Sequence, residues 1–258
     1  MRYQLFLLAL CFAPFISFAQ TPAPKEKPMF KTSAELGALF KTGDTKSGDI
    51  KAGLDVDFEK DQWRSALRFD LLIRKTEKEN DEGKDEFITS DHKWTIVSQT
   101  NYTIEPNGKN YVYGNASYED NRFSSFDNQS SVSTGWGRRW FENAQASLDA
   151  DIGPGYKRDV LKATDSQEQT TQDAFIVQAQ AIYNRKINEH VEFRQLLVAK
   201  YAPKSGENST YKAESSIITK LIETLQLKFS FNVDYNSDVD ANKENTNTQT
   251  AITLVYSF

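Results

Sequence analysis

The end of the chain is dominated by strict alternation of apolar and polar residues. From Leu225 to Tyr235 every second residue is apolar, and the residues between them are polar. A second run alternates in the same way from Thr250 to Phe258, the last residue. Successive side chains of a β-strand point to opposite faces, whereas those of a helix repeat about every 3.6 residues. The period of two therefore predicts two strands, each with one apolar face.

The same alternation begins much earlier, at Phe30. Runs at 30–41, 50–59 and 63–74 are long enough to cross a bilayer as tilted strands, which takes about 9–11 residues. Strands of soluble proteins average about 5–6 residues. No segment shows a convincing helical period, and no internal run approaches the roughly 20 apolar residues of a membrane helix. The length of the runs thus favours a membrane as much as their period does.

Later segments are less regular but continue the pattern. The predicted strands after the third are 86–102, 110–118, 127–140, 144–156, 173–184, 190–201 and 210–220, followed by the final pair. Tight connections such as 60–62 and 141–143 alternate with polar and mostly longer ones such as 74–85 and 158–172. This arrangement predicts an all-β fold, a single transmembrane antiparallel barrel of about 12 strands with short periplasmic turns and longer extracellular loops.

The N-terminus predicts export. Met1-Arg2, the apolar segment 5–16 and Ser17-Phe18-Ala19 have the pattern of a secretory signal peptide, residues 1–19, cleaved after Ala19. The chain's single cysteine lies within this segment, so the mature chain has none. The proline-rich, charged segment 20–29 is predicted to be a flexible periplasmic lead-in. Residues 30–258 are then the predicted outer-membrane barrel.

Composition alone would suggest a soluble domain, because only 38% of the 258 residues are hydrophobic and the mean hydropathy is -0.62. Barrels keep such averages low because only every second residue of a spanning strand faces lipid. The net charge of -5 argues against a nucleic-acid partner, which requires a clustered basic face. Aromatic residues make up 12% of the chain, which suits the girdles that barrels place at the membrane interfaces.

Four short motifs give the chain a family resemblance. They are Thr42-Gly43-Asp44-Thr45, the Tyr-Glu-Asp-Asn-Arg-Phe segment at 118–123, Gly153-Pro154-Gly155-Tyr156 and the closing Leu-Val-Tyr-Ser-Phe at 254–258. With these motifs in this order, nearly the whole mature chain resembles the salt-induced, YdiY-like family of outer-membrane proteins, a family of unknown function. The resemblance implies an outer-membrane barrel and supplies no activity and no site residues.

The final strand, which closes on Phe258, also resembles the last strand of bacterial outer-membrane barrels. That resemblance implies that the barrel-assembly machinery reads Phe258 as an assembly signal. A strand of a soluble sheet that happens to end on phenylalanine is the alternative.

The two histidines are the natural candidates for catalysis. His92 shares its predicted face with Trp94 and Ile96, which places it toward lipid or the interface, and His190 falls in a predicted periplasmic turn. A serine hydrolase requires its base within hydrogen-bond reach of the nucleophile. Neither histidine lies beside a serine on a polar face, so we expect no catalytic residue. A lipid-processing barrel enzyme of the phospholipase type remains the alternative.

Acidic segments raise the question of a metal site. Asn236, Asp238 and Asp240 have the spacing of a calcium-binding loop, but Ala241 replaces the required glycine and Asn247 the bidentate glutamate. A second acidic segment, 77–86, is interrupted by lysines. We interpret both as solvated loops and predict no metal and no cofactor. The expected partners are outer-membrane lipids and lipopolysaccharide, with weak bridging by divalent cations as a minor alternative.

Charges of both signs fall on the predicted polar faces. The candidate lumen network is Asp55, Asp57, Arg64, Arg68 and Asp70. Charges that leave bulk water need either a partner or retained water, because an unpaired buried charge is costly. The sequence therefore favours a non-enzymatic envelope component or a narrow polar pore for small solutes or ions. A lipid-processing enzyme, a surface adhesin or receptor, and a soluble periplasmic β-protein are the alternatives.

Overall fold

A computed structural model describes residues 29–41, 47–79, 85–163, 169–239 and 244–258. The predicted signal peptide, nearly all of the lead-in, the motif at 42–45 and Asp240 lie outside the described residues. The strands are β1 Phe30–Lys41, β2 Ser47–Lys60, β3 Trp63–Glu79, β4 Asp85–Thr103, β5 Asn110–Asn121, β6 Phe126–Glu142, β7 Ala146–Leu161, β8 Thr171–Lys186, β9 Val191–Tyr201, β10 Thr210–Lys220, β11 Leu225–Asn236 and β12 Thr246–Ser257. In the described part of the chain, no helix is long and apolar enough to span a membrane.

The strands form one closed antiparallel barrel. Each strand pairs with its neighbours in the sequence, and β1 closes the ring by pairing with β12, with Leu36 opposite Leu254 and Ser33 opposite Ser257. Closure leaves no sheet edge with unpaired backbone groups, which is the condition for crossing a membrane with strands. The predicted fold class and the predicted strand number are both confirmed.

The outer surface of the barrel is apolar and the inner surface is polar. On β11, Leu227, Phe229 and Phe231 point outward with 38–44% of their surface exposed, whereas Ser230 between them is completely buried. Exposed leucine, isoleucine, valine and aromatic side chains continue around the ring on the other strands. A soluble monomer rarely exposes a contiguous apolar patch larger than about 300–600 Å². This belt therefore identifies an outer-membrane barrel and confirms the assignment of faces in the last two strands.

Aromatic pairs form two girdles on the outer surface, as the aromatic content predicts. Near the end that carries both termini, the contacting ring pairs are Phe30 with Phe58, Trp63 with Tyr102, Phe141 with Tyr183, Tyr183 with Phe193, and Tyr256 with Phe258. Toward the opposite end they are Trp94 with Tyr118, Tyr156 with Phe175, and Tyr211 with Tyr235. Amphipathic rings favour the two levels where lipid headgroups begin. The girdles thus mark the limits of the lipid-facing band.

The connections at the two ends differ from the predicted bounds. β3 continues to Glu79 and β4 begins at Asp85, so half of the predicted acidic loop 77–86 belongs to strands, and residues 80–84 lie outside the described residues. β7 and β8 likewise extend to Leu161 and from Thr171, into the predicted loop 158–172. Beyond the membrane both faces of a strand are polar, so the backbone ladder continues where the hydrophobic alternation has ceased. The periodicity therefore underestimates these strands.

Pro154 is the other correction to the sequence analysis. Because proline cannot donate to a strand ladder, the Gly153-Pro154-Gly155 segment by itself predicts a bulge or the end of the seventh strand, yet β7 runs through it from Ala146 to Leu161. The register with β6 is the same on both sides, with Ser133 opposite Gly155 and Trp136 opposite Ile152. Proline lacks the N–H that would complete the ladder, and only the pairing between these two points is interrupted.

Candidate functional site

The polar interior of the barrel is the candidate site. It encloses a cavity of about 490 Å³ that reaches Glu59 and Arg64 near the end with the termini, and Thr210 and Asn236 near the opposite end. Inward-facing side chains alternate with lipid-facing ones along the strands, and charged and amide groups make up most of the cavity lining, with a few apolar ones such as Val97, Ile182 and Leu196. The cavity thus extends along the barrel between these residues, and its width is set by the side chains that cross it.

Three of the five residues in the predicted network come together on the β2–β3 wall. The Arg68 guanidinium donates from Nη2 to Asp57 Oδ1 over 2.6 Å, and its Nε lies 3.4 Å from Asp55 Oδ1. Adjacent register positions explain this, because Arg68 lies directly opposite Asp55. Asp70 faces the same lumen, but among the described residues it has no cation within 4 Å. This wall consequently holds more negative than positive charge.

Arg64, the fifth member, lies elsewhere. Its Nη1 is 3.6 Å from Asp149 Oδ1 on β7, across the lumen, and its guanidinium covers the ring of Tyr111 at 5.1 Å. Asp149 is already held by Arg139, which donates from Nε and Nη2 over 3.0 and 3.2 Å. Arg64 is thus separated from Asp55 and Asp57. The carboxylate that it approaches, that of Asp149, is also bonded to Arg139.

Behind this cluster lies a carboxylate that no cation neutralises among the described residues. Asp151 is 5% exposed and accepts hydrogen bonds from Gln99 Nε2 at 3.0 Å and the Tyr111 hydroxyl at 3.3 Å. The Tyr111 ring lies against Gly137, where a Cβ atom would collide with it. Glycine at 137 is therefore what allows the ring to fold flat on the barrel wall and reach Asp151.

A second cluster lies at the barrel seam, where β1 pairs with β12. Lys228 Nζ is 2.7 Å from Glu35 Oε1 and 3.4 Å from Glu214 Oε1, and Thr253 donates to the other oxygen of Glu35. Glu35 and Lys228 are 7% and 12% exposed. This cluster joins four strands, β1, β10, β11 and β12, near the point where the first and last strands meet.

Lys93 bridges the lumen. It extends from β4, and its Nζ is 3.2 Å from Glu119 Oε1 on the neighbouring β5 and 3.2 Å from Asp234 Oδ2 on β11. Because β4 and β11 lie on nearly opposite sides of the ring, the contact with Asp234 crosses the barrel. Gln180 on β8 reaches Gln99 on β4 in the same way, over 3.0 Å. Such transverse contacts narrow the cavity.

Lys157 holds the interior together closer to the opposite end from the termini. Its Nζ is 2.6 Å from Asp159 Oδ2 and donates to the Asn208 carbonyl over 2.5 Å. Asn208 belongs to the connection between β9 and β10 and also donates to Asp159. Lys157 and Asp159 are 3% and 2% exposed, so this is a buried ion pair that ties the connection 202–209 to the wall.

Two further lysines line the same part of the lumen. Lys200 donates to Ser117 Oγ over 2.7 Å, and Lys212 lies on the adjacent strand. The sequence analysis did not single out Lys93, Lys157 or Lys200. For two of them the alternation does predict an inward side chain. Lys93 lies between His92 and Trp94, and Lys200 lies between Ala199 and Tyr201, and these neighbours are on the predicted outward face.

The remaining candidates lie outside the lumen. His92 Nε2 is 3.3 Å from Asp120 Oδ1 on the outer face, and His190 is exposed in the turn 187–190. Within the described residues, no serine hydroxyl is hydrogen bonded to either imidazole, and no group of His, Cys, Asp or Glu converges as a metal site. Phe258 is 70% exposed beside Tyr256, at the end of the barrel with the termini.

Comparison with known proteins gives a family. The family described as "Protein of unknown function, DUF481" matches residues 34–258. The uncharacterized protein YdiY of Escherichia coli K12 is 24% identical over 237 residues, covering 92% of this chain and 86% of YdiY. Among solved structures, the translocator domain of autotransporter NalP from Neisseria meningitidis has a TM-score of 0.49 at 8% identity, covering 91% of this chain and 90% of NalP. The COG4313 outer membrane channel from Pseudomonas putida F1 has a TM-score of 0.48 at 10% identity, covering 89% and 95%.

Proposed function

We propose that this chain, which belongs to the DUF481 family, is a narrow polar pore for small ions or solutes in the outer membrane. The observation that carries the proposal is the cavity lined by charged and amide groups from Glu59 and Arg64 to Thr210 and Asn236. Water can occupy such a lining, and ions pass where charged side chains replace part of their hydration. A non-conducting envelope barrel is the competing function, because transverse contacts such as that of Lys93 with Asp234 narrow the same cavity.

Single-channel recording of the refolded protein in a planar bilayer tests the proposal directly. A pore predicts small, stable conductance steps that increase with salt concentration. A complete absence of steps from protein that is folded by circular dichroism would reject the pore and leave the envelope barrel.

The arginines of the lumen provide a sharper test. The double variant Arg64→Gln, Arg68→Gln is expected to shift the reversal potential toward cation selectivity, because it leaves Asp55 and Asp57 without their shared arginine. Folding should be nearly unchanged: Asp149 keeps Arg139, and the Asp57 side chain is 46% exposed to the lumen. The measurements are the reversal potential in a salt gradient and the midpoint of unfolding in lipid vesicles.

A filled barrel would respond differently to the same variant. Without water in the lumen, the freed carboxylates would cost about 3–5 kcal/mol for each broken buried pair. A large decrease in the unfolding midpoint without any conductance would therefore exclude the hydrated pore.

Orientation follows from the same proposal, with both termini and the turns 143–145 and 187–190 facing the periplasm. Ser205→Cys and Gln145→Cys place single thiols at exposed positions of opposite ends. A membrane-impermeant maleimide applied to intact cells should label residue 205 and spare residue 145, and both should react after the cells are lysed. Labelling of residue 145 alone would show the barrel to be inverted.

Export and assembly complete the proposed function. The signal-peptide pattern at 1–19 and the lead-in at 20–29 support secretion across the inner membrane. The exposed ring of Phe258, beside Tyr256 at the proposed periplasmic end, is available to the barrel-assembly machinery during biogenesis. Outer-membrane lipids and lipopolysaccharide are the proposed partners of the apolar belt.

A further inference from the structure

Two lysines of the lumen have no carboxylate partner within the described residues. Lys200 and Lys212 lie on β9 and β10 and face the same side of the wall: Thr210 is directly opposite Lys200, and Lys212 is opposite Val198. They are therefore diagonal neighbours, whose side chains are within reach of each other. Lys200 donates one hydrogen bond, to Ser117 Oγ, and Lys212 donates none to a described residue. Each ammonium group has three protons to donate.

The carboxylates around them are already engaged by other cations. Glu119 and Asp159 interact electrostatically with Lys200, but the first is bonded to Lys93 and the second to Lys157. Asp234 and Glu214 interact with Lys212, yet Asp234 is bonded to Lys93 and Glu214 to Lys228. The free carboxylate near Lys212 is Asp70, at a distance greater than that of an ion pair.

Lys93 bonds two carboxylates and Lys228 bonds Glu35 as well as Glu214, so Lys200 and Lys212 bring the charge of this region into balance without forming an ion pair of their own within the described residues. Both Lys200 and Lys212 line the cavity. Arg194, which lies on β9 nearer the end with the termini, also lines it, and no described carboxylate lies within 4 Å of its guanidinium. The opposite situation holds on the β2–β3 wall, where Asp55 and Asp57 share one arginine. The lumen thus has a basic side along β9–β10 and an acidic side along β2–β3.

We propose that Lys200 and Lys212 form a binding site for a small, water-soluble anion that carries a carboxylate or phosphate group. Two ammonium groups with unused donors can each bond one oxygen of such a group, and charge-assisted hydrogen bonds of this kind are the strong ones. The Ser117 hydroxyl, held by Lys200 and by Ser131 over 2.8 Å, adds a polar group beside the site. The inference rests on the proposed pore in one respect, since it identifies small anions as the solutes that the pore selects.

Inorganic phosphate is the probe for this site. The refolded protein in detergent micelles at low salt should bind phosphate saturably, as measured by isothermal titration calorimetry. Lys200→Gln with Lys212→Gln should weaken that binding at least tenfold. Lys204→Gln is the matched control, because Lys204 is exposed in the connection 202–209 and pairs with Glu207 outside the lumen; its binding should equal that of the unaltered protein.

Two further variants separate a loss of phosphate binding from a loss of folding. Lys212→Gln alone removes no hydrogen bond to a described residue and should still weaken phosphate binding about threefold or more. Lys200→Arg with Lys212→Arg keeps both charges and should retain binding. Phosphate affinity that is unchanged in Lys212→Gln and in the double glutamine variant, or no saturable binding by the unaltered protein, would overturn the site.

The calorimetric test of the anion site and the conductance test of the pore can give independent results. If the protein conducts ions but does not bind phosphate at these lysines, the anion site is wrong and the pore stands. If it binds phosphate through Lys200 and Lys212 without conducting, the pore is wrong and the site stands. In a conducting protein the double glutamine variant should also shift the reversal potential toward cations, whereas Lys204→Gln should leave it in place.

Discussion

Leu197→Arg is expected to destabilise the barrel by about 2–4 kcal/mol, the cost of an arginine facing lipid near the middle of the bilayer. Leu197 lies in the middle of β9, points outward and is 48% exposed. Its side chain contacts hydrocarbon, where a guanidinium has neither water nor a counter-ion. The free energy of unfolding is measured by reversible urea unfolding in lipid vesicles.

Leu196→Arg is the matched control, with the same change one residue away. Leu196 lines the cavity and lies opposite Glu214 on β10, so an arginine there enters the lumen beside a carboxylate. We expect a small change in the free energy of unfolding. Equal destabilisation by both variants would contradict the assignment of faces on β9.

The same reasoning applies on β11, but its inward positions make poorer controls. Phe229→Arg is expected to cost about as much as Leu197→Arg, because Phe229 is 44% exposed on the outer face. Ser230 beside it faces inward, so alternation alone would make Ser230→Arg the matched control. The structure shows it completely buried, so an arginine would collide with the wall instead of entering water. Face alone does not predict the space available to a side chain.

The fold could be predicted from sequence because the bilayer imposes the pattern that alternation detects. Where lipid contacts the strand, every second side chain must be apolar, and runs such as 225–235 record this directly. Beyond the lipid that constraint disappears, and Arg158 and Asp173 are polar on the outer face as Lys157 and Asp159 are on the inner one. Alternation therefore ends the third and seventh strands several residues too early.

The partners within the lumen could be predicted only where they are neighbours in the ladder. Arg68 is directly opposite Asp55 across one hairpin, so a face assignment is sufficient to bring them together. Arg64 instead meets Asp149 on β7, and Lys93 meets Asp234 on β11. Contacts across the barrel depend on the stagger of all the strands and on the diameter that results. Periodicity contains neither quantity.

Those transverse contacts determine whether ions can pass through the lumen or the barrel is closed. Lys93 and Lys200 reach across a lumen that still retains a cavity of about 490 Å³. Charged side chains in water exchange partners easily, whereas fully buried ones are fixed by the cost of separating them. The degree of burial of each ion pair therefore separates the mobile part of the lumen from its fixed part, and the most buried pair should give the largest effect on stability.

Lys157→Met is the corresponding prediction, and it should lower the free energy of unfolding by about 3–5 kcal/mol. Methionine has nearly the length of lysine, so the packing is retained while the charge is lost. Asp159, 1% exposed, would then keep only the neutral donors Gln129 and Asn208. The connection 202–209 would also lose the bond from Lys157 to the Asn208 carbonyl.

Arg158→Met is the matched control, because it breaks an exposed ion pair at the neighbouring residue. Arg158 donates two bonds to Asp173, over 2.7 and 3.1 Å, but this pair is exposed on the outer face. Exposed ion pairs contribute little, so the free energy of unfolding should remain nearly unchanged. A comparable loss in both variants would show that burial does not distinguish the two pairs.

The double variant Lys157→Met, Asp159→Asn tests where this loss of stability comes from. It removes both charges and leaves an amide whose oxygen can still accept from Asn208 and whose nitrogen can donate to the Gln129 side-chain oxygen once that amide turns over, so it should recover most of the stability that Lys157→Met loses. Recovery would show that the cost comes from the uncompensated carboxylate of Asp159, since replacing a buried pair by neutral groups is often tolerated while breaking it is not. If the double variant is as unstable as Lys157→Met alone, the stabilising contact is instead the bond to the Asn208 carbonyl, and the connection 202–209 is what Lys157 holds in place.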